Sequence, residues 1–186
     1  MLSLASPEDV VNDALVRIGW KFRIGSLYDG TLAAKTALQI YSQTRDALLR
    51  SATWGFAEVI VPGVALPGAT PPIPWTNVFE YPDNCLRLRD IYSASYLRNN
   101  PTPNLWTLLN PGDGTGISIA CYLNDPLLVY TRQVHDPRLW ESMFTELLCA
   151  RLGRLMAPAL ASIDQTKVGA EDEKMGEEAA VNVPTG

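Results

Sequence analysis

The sequence predicts an α+β protein, mainly an α-helical bundle of about four helices with a small antiparallel β region inserted. Amphipathic periodicity predicts helices at 7–18, at 31–50 and again after residue 136. Short alternating segments separated by Pro, Gly and Asn predict strands within 57–134. With 186 residues, 47% hydrophobic and 19% charged, the chain has the composition of a folded domain, or of one domain with an insertion.

The first helix has agreeing signals at both of its ends. Ser6 can cap it, Pro7 suits the first helical position, and Asp9 completes a capping box. Gly19 is placed to end it. We therefore predict a one-sided helix over 7–18.

The second helix follows a short connector. Asp29-Gly30-Thr31 offers a cap, and residues 31–50 contain no internal Gly or Pro, so they predict about five helical turns. The short connection and the matched apolar faces predict that the first two helices pack as an antiparallel hairpin.

The stretch 41–57 leads from this helix into the β region. Tyr41 lies on the apolar stripe, and Arg45 lies at its border, where its methylenes can cover apolar surface. Trp54 and Phe56 are too large to leave exposed, so the chain must fold back onto a core there. We interpret these four residues as a structural joint that fixes the angle between the helical and β regions.

The β region contains strand signals separated by turns. Residues 62–74 form a loop with five prolines, and 124–126 close a predicted hairpin. Strands are predicted at 58–61, 75–81, 85–91, 117–123 and 127–132.

Helix restarts after the β region, with Asp136 as cap and Pro137 at the first position. The predicted organisation is a helical bundle from 1–56 and 135–161, an inserted β region at 57–134, and a C-terminal extension at 162–186. The extension could form a last helix, although its apolar face is sparse and its surface is acidic.

Charge and cysteine content narrow the classes of function. The net charge is −5 and the pI about 4.9, which argues against a monomer that grips nucleic acid by neutralising phosphates. Three widely spaced cysteines and no signal peptide or membrane span at the N-terminus predict free thiols and a cytoplasmic origin.

Candidate catalytic residues are better explained as turn formers. His135 stands before a helix cap with no second histidine or cysteine at ligand spacing, so we expect no metal site. Asp83, Asp113 and Asp136 could act as hydrolase carboxylates, but each lies beside Pro, Gly or Asn, where Asp forms turns and caps. We expect no catalytic residues and no cofactor.

Four arginines form a possible cationic patch, and two readings of it stay open. It could contact a neighbouring subunit or DNA in a lumen, or it could be a solvated strand face. The four residues are Arg87, Arg89, Arg98 and Arg132.

Seven short motifs occur in an order that is itself informative. The first is the capped first helix. The other six are Ile18-Gly19, Ile-Gly-Ser-Leu-Tyr-Asp-Gly at 24–30, Tyr-x3-Arg-Asp-Ala-Leu-Leu-Arg-x3-Trp-x-Phe-Ala at 41–57, Tyr-Pro-Asp-Asn-Cys-Leu-Arg at 81–87, Val-Tyr-Thr-Arg at 129–132 and Asp-Pro-x2-Trp-x3-Phe at 136–144. In this order the chain resembles the tail tubular protein A family, the head-to-tail adaptors of tailed bacteriophages, over about residues 6–160.

The resemblance implies a structural virion protein, not an enzyme, at the head-to-tail junction. Such adaptors form a ring, typically dodecameric, that docks beneath the portal protein and continues the channel toward the tail nozzle or next tail component. Double-stranded DNA then passes through the lumen without sequence-specific binding, and no membrane is involved. The chain would reside in the host cytoplasm during assembly.

The resemblance also implies a role for the C-terminal extension, which in these adaptors often embraces the portal. On that basis the possible portal contacts are Lys167, Glu171, Asp172 and Lys174. Two alternatives remain: a virion-associated peptidoglycan hydrolase acting through Asp83, Asp136 and Glu141, and a free nucleic-acid-binding module.

Overall fold

The computed structural model describes residues 6–93, 105–110 and 116–161. These residues contain three α-helices and six strands, which form two three-stranded antiparallel sheets. The predicted bundle of about four helices is therefore wrong, and the fold is α+β with two sheets. The fourth helix that we predicted within 162–180 lies outside the described residues.

Contacts divide the chain into two units. One comprises Met1–Leu48 with Val134–Gly186, and the other Leu49–Gln133. The helices are α1 (Pro7–Arg17), α2 (Leu32–Ser51) and α3 (Ser142–Ala161), and the last residues of α2 belong to the second unit.

The N-terminal signals of α1 are confirmed. Asp9 N–H donates to Ser6 Oγ at 3.2 Å, and Ser6 N–H donates to the Asp9 carboxylate at 3.2 Å, which completes the capping box. Gly19 follows the helix with φ of +76°, the left-handed conformation that glycine adopts without strain.

Asn12 fastens the connector after α1. Its amide donates to Ile24 C=O at 3.0 Å and accepts from Ile24 N–H at 2.9 Å. Asn12 is buried, so these two bonds satisfy main-chain groups that water does not reach. The connector thus has a fixed path toward Thr31, whose hydroxyl caps α2 by accepting from Ala34 N–H at 3.2 Å.

The predicted antiparallel packing of α1 against α2 stays a prediction. In the first unit α1 and α3 pack closely against each other. Gly153 makes this possible, because a Cβ built on it would lie 3.0 Å from Ala14 O and 3.1 Å from Ile18 Cγ2. The absence of a side chain at residue 153 lets the two helices approach closely.

The start of α3 also differs from the prediction. Asp136 caps only a 3-10 turn at Pro137–Leu139, and α3 begins at Ser142. Between them Trp140 is extended, and its Nε1 donates to Val134 C=O at 3.2 Å. This hydrogen bond, together with an edge-to-face contact with Phe144 at 5.1 Å between ring centroids, holds the indole inside and interrupts the helix.

The strands of the second unit form two sheets in which all pairs are antiparallel. The first sheet has the order β1 (Glu58–Pro62), β6 (Pro126–Arg132), β3 (Cys85–Ser93). The second has the order β2 (Asn77–Glu80), β5 (Ser118–Cys121), β4 (Trp106–Leu109). Both sheets contribute side chains to one buried core: Phe79, Ile119 and Cys121 from the second, and Leu88, Ile91, Leu128 and Tyr130 from the first.

The predicted hairpin around 124–126 was wrong, because β5 and β6 lie in different sheets. Ser118–Cys121 is buried at every position, and Pro126–Arg132 is the buried central strand of its own sheet. Each strand therefore needs two neighbours, and the turn between them carries the chain from one sheet to the other. Sequence alternation alone also missed β4.

Candidate functional site

Two of the predicted patch arginines bind the C-terminal end of α2. Arg89 Nη2 donates to the carbonyls of Arg50, at 3.2 Å, and Ala52, while its Nε donates to Thr131 Oγ1 at 2.9 Å. Arg87 Nη1 also donates to Arg50 C=O, at 3.1 Å. The last carbonyls of a helix lack partners within it and carry partial negative charge, so two guanidinium groups suit them well.

This arrangement gives Arg87 and Arg89 a role within the fold. Sequence reasoning missed that role, although a signal for it exists. No glycine follows α2 directly, so its terminal carbonyls need an external donor. Whether the two arginines also face a subunit or DNA stays a prediction.

Of the other two patch residues, the structure describes only Arg132, and no contact among the described residues brings it to this helix end. Arg132 closes β6 opposite Cys85, and its Nε is buried with no hydrogen-bond partner among the described residues. Arg98 lies outside the described residues.

Tyr41 and Arg45, the first half of the predicted joint, are both buried in the first unit. Arg45 Nε pairs with Asp46 Oδ1 at 2.8 Å. Burial raises the pKa of Tyr41, against the opposing effect of the Arg45 charge. The Tyr41 hydroxyl has no hydrogen-bond partner in the part of the chain that the structure describes.

Trp54 and Phe56, the second half of the joint, belong to the second unit. Trp54 is buried and its ring centroid lies 6.2 Å from that of Phe56. Trp54 precedes a 3-10 turn at Gly55–Ala57 that contains Phe56, and Ala57 N–H donates to Trp54 C=O at 3.0 Å. The role of these residues in setting an angle between regions stays a prediction.

The candidate carboxylates serve turns where the structure describes them. Asp136 accepts hydrogen bonds from the Arg138 side chain, the shortest at 2.7 Å, and these lower its pKa. Asp83 lies in the turn after β2, Glu141 is exposed just before α3, and Asp113 is outside the described residues. No group of three or more His, Cys, Asp or Glu within 6–93, 105–110 and 116–161 could hold a metal ion.

The cysteines are free thiols. Burial raises the pKa of Cys149 to about 12, and its Sγ lies 3.5 Å from Val10 C=O. Burial likewise raises the pKa of Cys85 and of Cys121. A raised pKa keeps a thiol protonated and weakly nucleophilic.

α3 carries apolar side chains on two of its sides, and the sequence did not lead us to predict the second side. Its buried side packs inside the first unit and includes Phe144, Leu148, Leu152 and Met156. We call the opposite side the outer face of α3, defined by Met143, Leu147, Arg151, Arg154 and Leu155. Its three apolar side chains are 59%, 44% and 46% exposed, and both arginines are exposed. The adjacent apolar pairs 147/148 and 155/156 were the available signal.

The second unit has an open cleft of about 870 Å³ beside the Pro-rich loop. The loop runs along the edge of β2, where Leu66 N–H donates to Val78 C=O at 3.0 Å and Glu80 N–H donates to Val64 C=O at 2.8 Å. We call this the acidic cleft and define it by Leu66, Glu80, Tyr81, Asp83 and Ile117. Burial raises the pKa of Tyr81 to about 12.

The predicted portal contacts Lys167, Glu171, Asp172 and Lys174 lie outside the described residues. Within the described ranges, no helix has both the length and the apolar character needed to cross a membrane.

No protein-family model matches the chain, and a search of curated proteins finds no significant match.

Proposed function

We propose that this chain is a head-to-tail adaptor of a tailed bacteriophage. In this role it assembles as a homo-oligomeric ring, docks on the portal protein, and continues the channel through which double-stranded DNA leaves the capsid. The proposal rests on the resemblance of ordered motifs to the tail tubular protein A family.

The observation that carries the proposal is that several of the motif residues help to organise the fold, while others, such as Tyr28, are exposed. Tyr41 and Trp54 are buried, and Trp140 makes an edge-to-face contact with Phe144. Arg87, the last residue of the 81–87 motif, donates to the end of α2.

The exposed apolar side chains give a second, independent support. Ile73 in the Pro-rich loop is 98% exposed, and the outer face of α3 presents three more apolar side chains. Apolar surface that a monomer leaves in water often marks a protein–protein contact. An assembly protein would cover such surface only after it meets its partners.

The test is docking of the full-length chain onto purified portal rings from the same virus, followed by native mass spectrometry and negative-stain imaging. We expect a second ring of copies on one end of the portal. A chain that stays monomeric beside intact portal rings under every ionic condition tried would contradict the proposal.

A matched pair of variants makes this test sharper. Alanine at the four predicted portal contacts, Lys167, Glu171, Asp172 and Lys174, should weaken docking. A control with Lys35→Ala and Gln43→Ala, both on exposed positions of α2, should dock like the unchanged chain.

A further inference from the structure

We propose that the outer face of α3 in one copy of the chain binds the acidic cleft of a second copy. This inference deepens the proposed function and rests on it, because it names the two surfaces that would join neighbours in the ring.

The outer face of α3 has the chemistry of an interface. Its apolar side chains lie one or two turns apart on a helix whose opposite side is already packed. Arg151 and Arg154 have no ion pair within the described residues, so their charges are available. Arginine and methionine are both enriched in protein–protein interfaces relative to the rest of the protein surface.

The acidic cleft has the complementary chemistry. Its apolar lining includes Leu66 and Ile117, which are 36% and 48% exposed. Glu80 and Asp83 are both exposed, and no Lys or Arg occurs among the described residues that line the cleft. A surface that is both cationic and apolar is therefore complementary to the acidic cleft in charge and in hydrophobicity.

Charge decides between a head-to-tail and a symmetric contact. Two outer faces brought together would bring four arginines close to each other, and two acidic clefts would bring four carboxylates together. Like charges that are brought together in a desolvated contact oppose association, so the outer face of α3 favours the acidic cleft over a second outer face. A contact between two different surfaces is heterologous and repeats from copy to copy, giving a ring where the rotation between copies closes and an open filament where it does not.

Charge reversal with rescue tests the pairing, measured by sedimentation velocity of the full-length chain up to about 1 mM, where even contacts of millimolar Kd are populated. We expect reversible self-association of the unchanged chain. Arg151→Glu with Arg154→Glu should weaken it at least about tenfold, and so should Glu80→Lys with Asp83→Lys.

The mixture of the two double variants is the decisive sample. Each variant keeps one native surface and has one reversed surface. In the mixture the reversed outer face of one variant meets the reversed cleft of the other, and the two native surfaces also meet, so the mixture should regain the association of the unchanged chain with the two variants alternating. A mixture that stays monomeric, or an unchanged chain that is monomeric throughout, would overturn the inference. Lys35→Glu with Gln43→Glu on α2 is the matched control and should leave association unchanged.

Other occupants of the outer face would give different results. If the chain's own C-terminal extension occupies the outer face of α3, the arginines at 151 and 154 act through the acids at 171–173, 177 and 178 instead of Glu80 and Asp83. Neutralising the acids of the extension would then remove the effect of the arginine reversals on self-association. This outcome would also overturn the inference. Docking on portal rings that tolerates both charge reversals would sink the inference and leave the proposed function standing. Self-association that is rescued by charge reversal, without any portal binding, would sink the proposed function and leave the pairing of the two surfaces standing.

Discussion

Arg89 donates a hydrogen bond to the main-chain carbonyl of Arg50, 3.2 Å away, so that a strand side chain closes the C-terminal end of α2. The same guanidinium reaches Ala52 and Thr131, and it therefore ties the helix end to β6 as well as to its own strand. The Arg89 guanidinium is therefore a shared hydrogen-bond donor. It serves two main-chain carbonyls and one hydroxyl that would otherwise need separate partners.

Arg89→Ala should lower the free energy of unfolding by about 1–3 kcal/mol, because it removes hydrogen bonds from a charged donor and leaves helix-end carbonyls without it. Urea unfolding followed by circular dichroism measures the loss. Arg87→Ala is the matched comparison: with one such hydrogen bond, in an exposed position, it should cost less than about 1 kcal/mol. Equal effects of the two changes would contradict the shared-donor interpretation.

Asn12→Ala should be more harmful than any change on the exposed side of α1. Two buried main-chain groups of Ile24 lose their partner, and each unsatisfied group costs about 1–3 kcal/mol. We expect a loss of about 2–4 kcal/mol in the free energy of unfolding. Arg17→Ala, which removes an exposed ion pair with Asp13, should cost less than about 0.5 kcal/mol, and a similar cost for both would refute the role of Asn12.

Local signals predicted the starts of α1 and α2 and the positions of most strands, because those signals depend on neighbours in sequence. Ser6 and Asp9 meet within one turn, and their capping box is confirmed. The positions of strands β1, β2 and β3 were also anticipated to within a few residues. In each case the signal lies in residues that are close to one another along the chain.

Signals that depend on distant partners failed. The pairing of β5 with β2 and of β6 with β3 joins strands some 40 residues apart, and alternation does not encode it. The bonds from Arg89 to Arg50 and from Asn12 to Ile24 are of the same kind, because a polar side chain gives no sign of which carbonyl it will meet. The same limit applies to the surface of α3. Amphipathic periodicity predicted this helix, but it did not show which of its apolar side chains are buried and which are exposed.

Asp29 should make stability depend on pH. Burial opposes ionisation of its carboxylate, but hydrogen bonds from Thr31, Gly25 and Ser26 outweigh burial and lower the pKa below its usual value of about 3.9. A lowered pKa in the folded state contributes stability above the unfolded pKa and loses it as the pH falls through the folded value.

The stability advantage of the unchanged chain over Asp29→Asn should therefore be largest above about pH 5 and shrink below about pH 4. Urea midpoints measured for both chains across this range test the prediction. An advantage that grows on acidification would have the wrong sign and would exclude this linkage.

Gly153→Ala should destabilise the fold by about 1 kcal/mol, although alanine favours helix. The new Cβ would meet Ala14 O at 3.0 Å and Ile18 Cγ2 at 3.1 Å, and the first of these is a main-chain atom of α1 that cannot turn aside. A double-mutant cycle with Ile18→Ala provides the check. Removing Cγ2 should recover part of the loss, and purely additive effects would place the clash elsewhere.

Tyr41→Phe should leave stability unchanged or raise it by about 1 kcal/mol, which is unusual for a residue that is only 4% exposed. The hydroxyl is buried without a hydrogen-bond partner among the described residues, so the folded state carries its desolvation cost and gains nothing from it. Tyr41→Ala is the contrasting variant, since loss of the whole ring should cost about 3–5 kcal/mol. Urea unfolding of both variants separates the contribution of the ring from that of the hydroxyl. A loss above about 1 kcal/mol for Tyr41→Phe would mean that the hydroxyl is satisfied in solution, for which a buried water is the simplest partner.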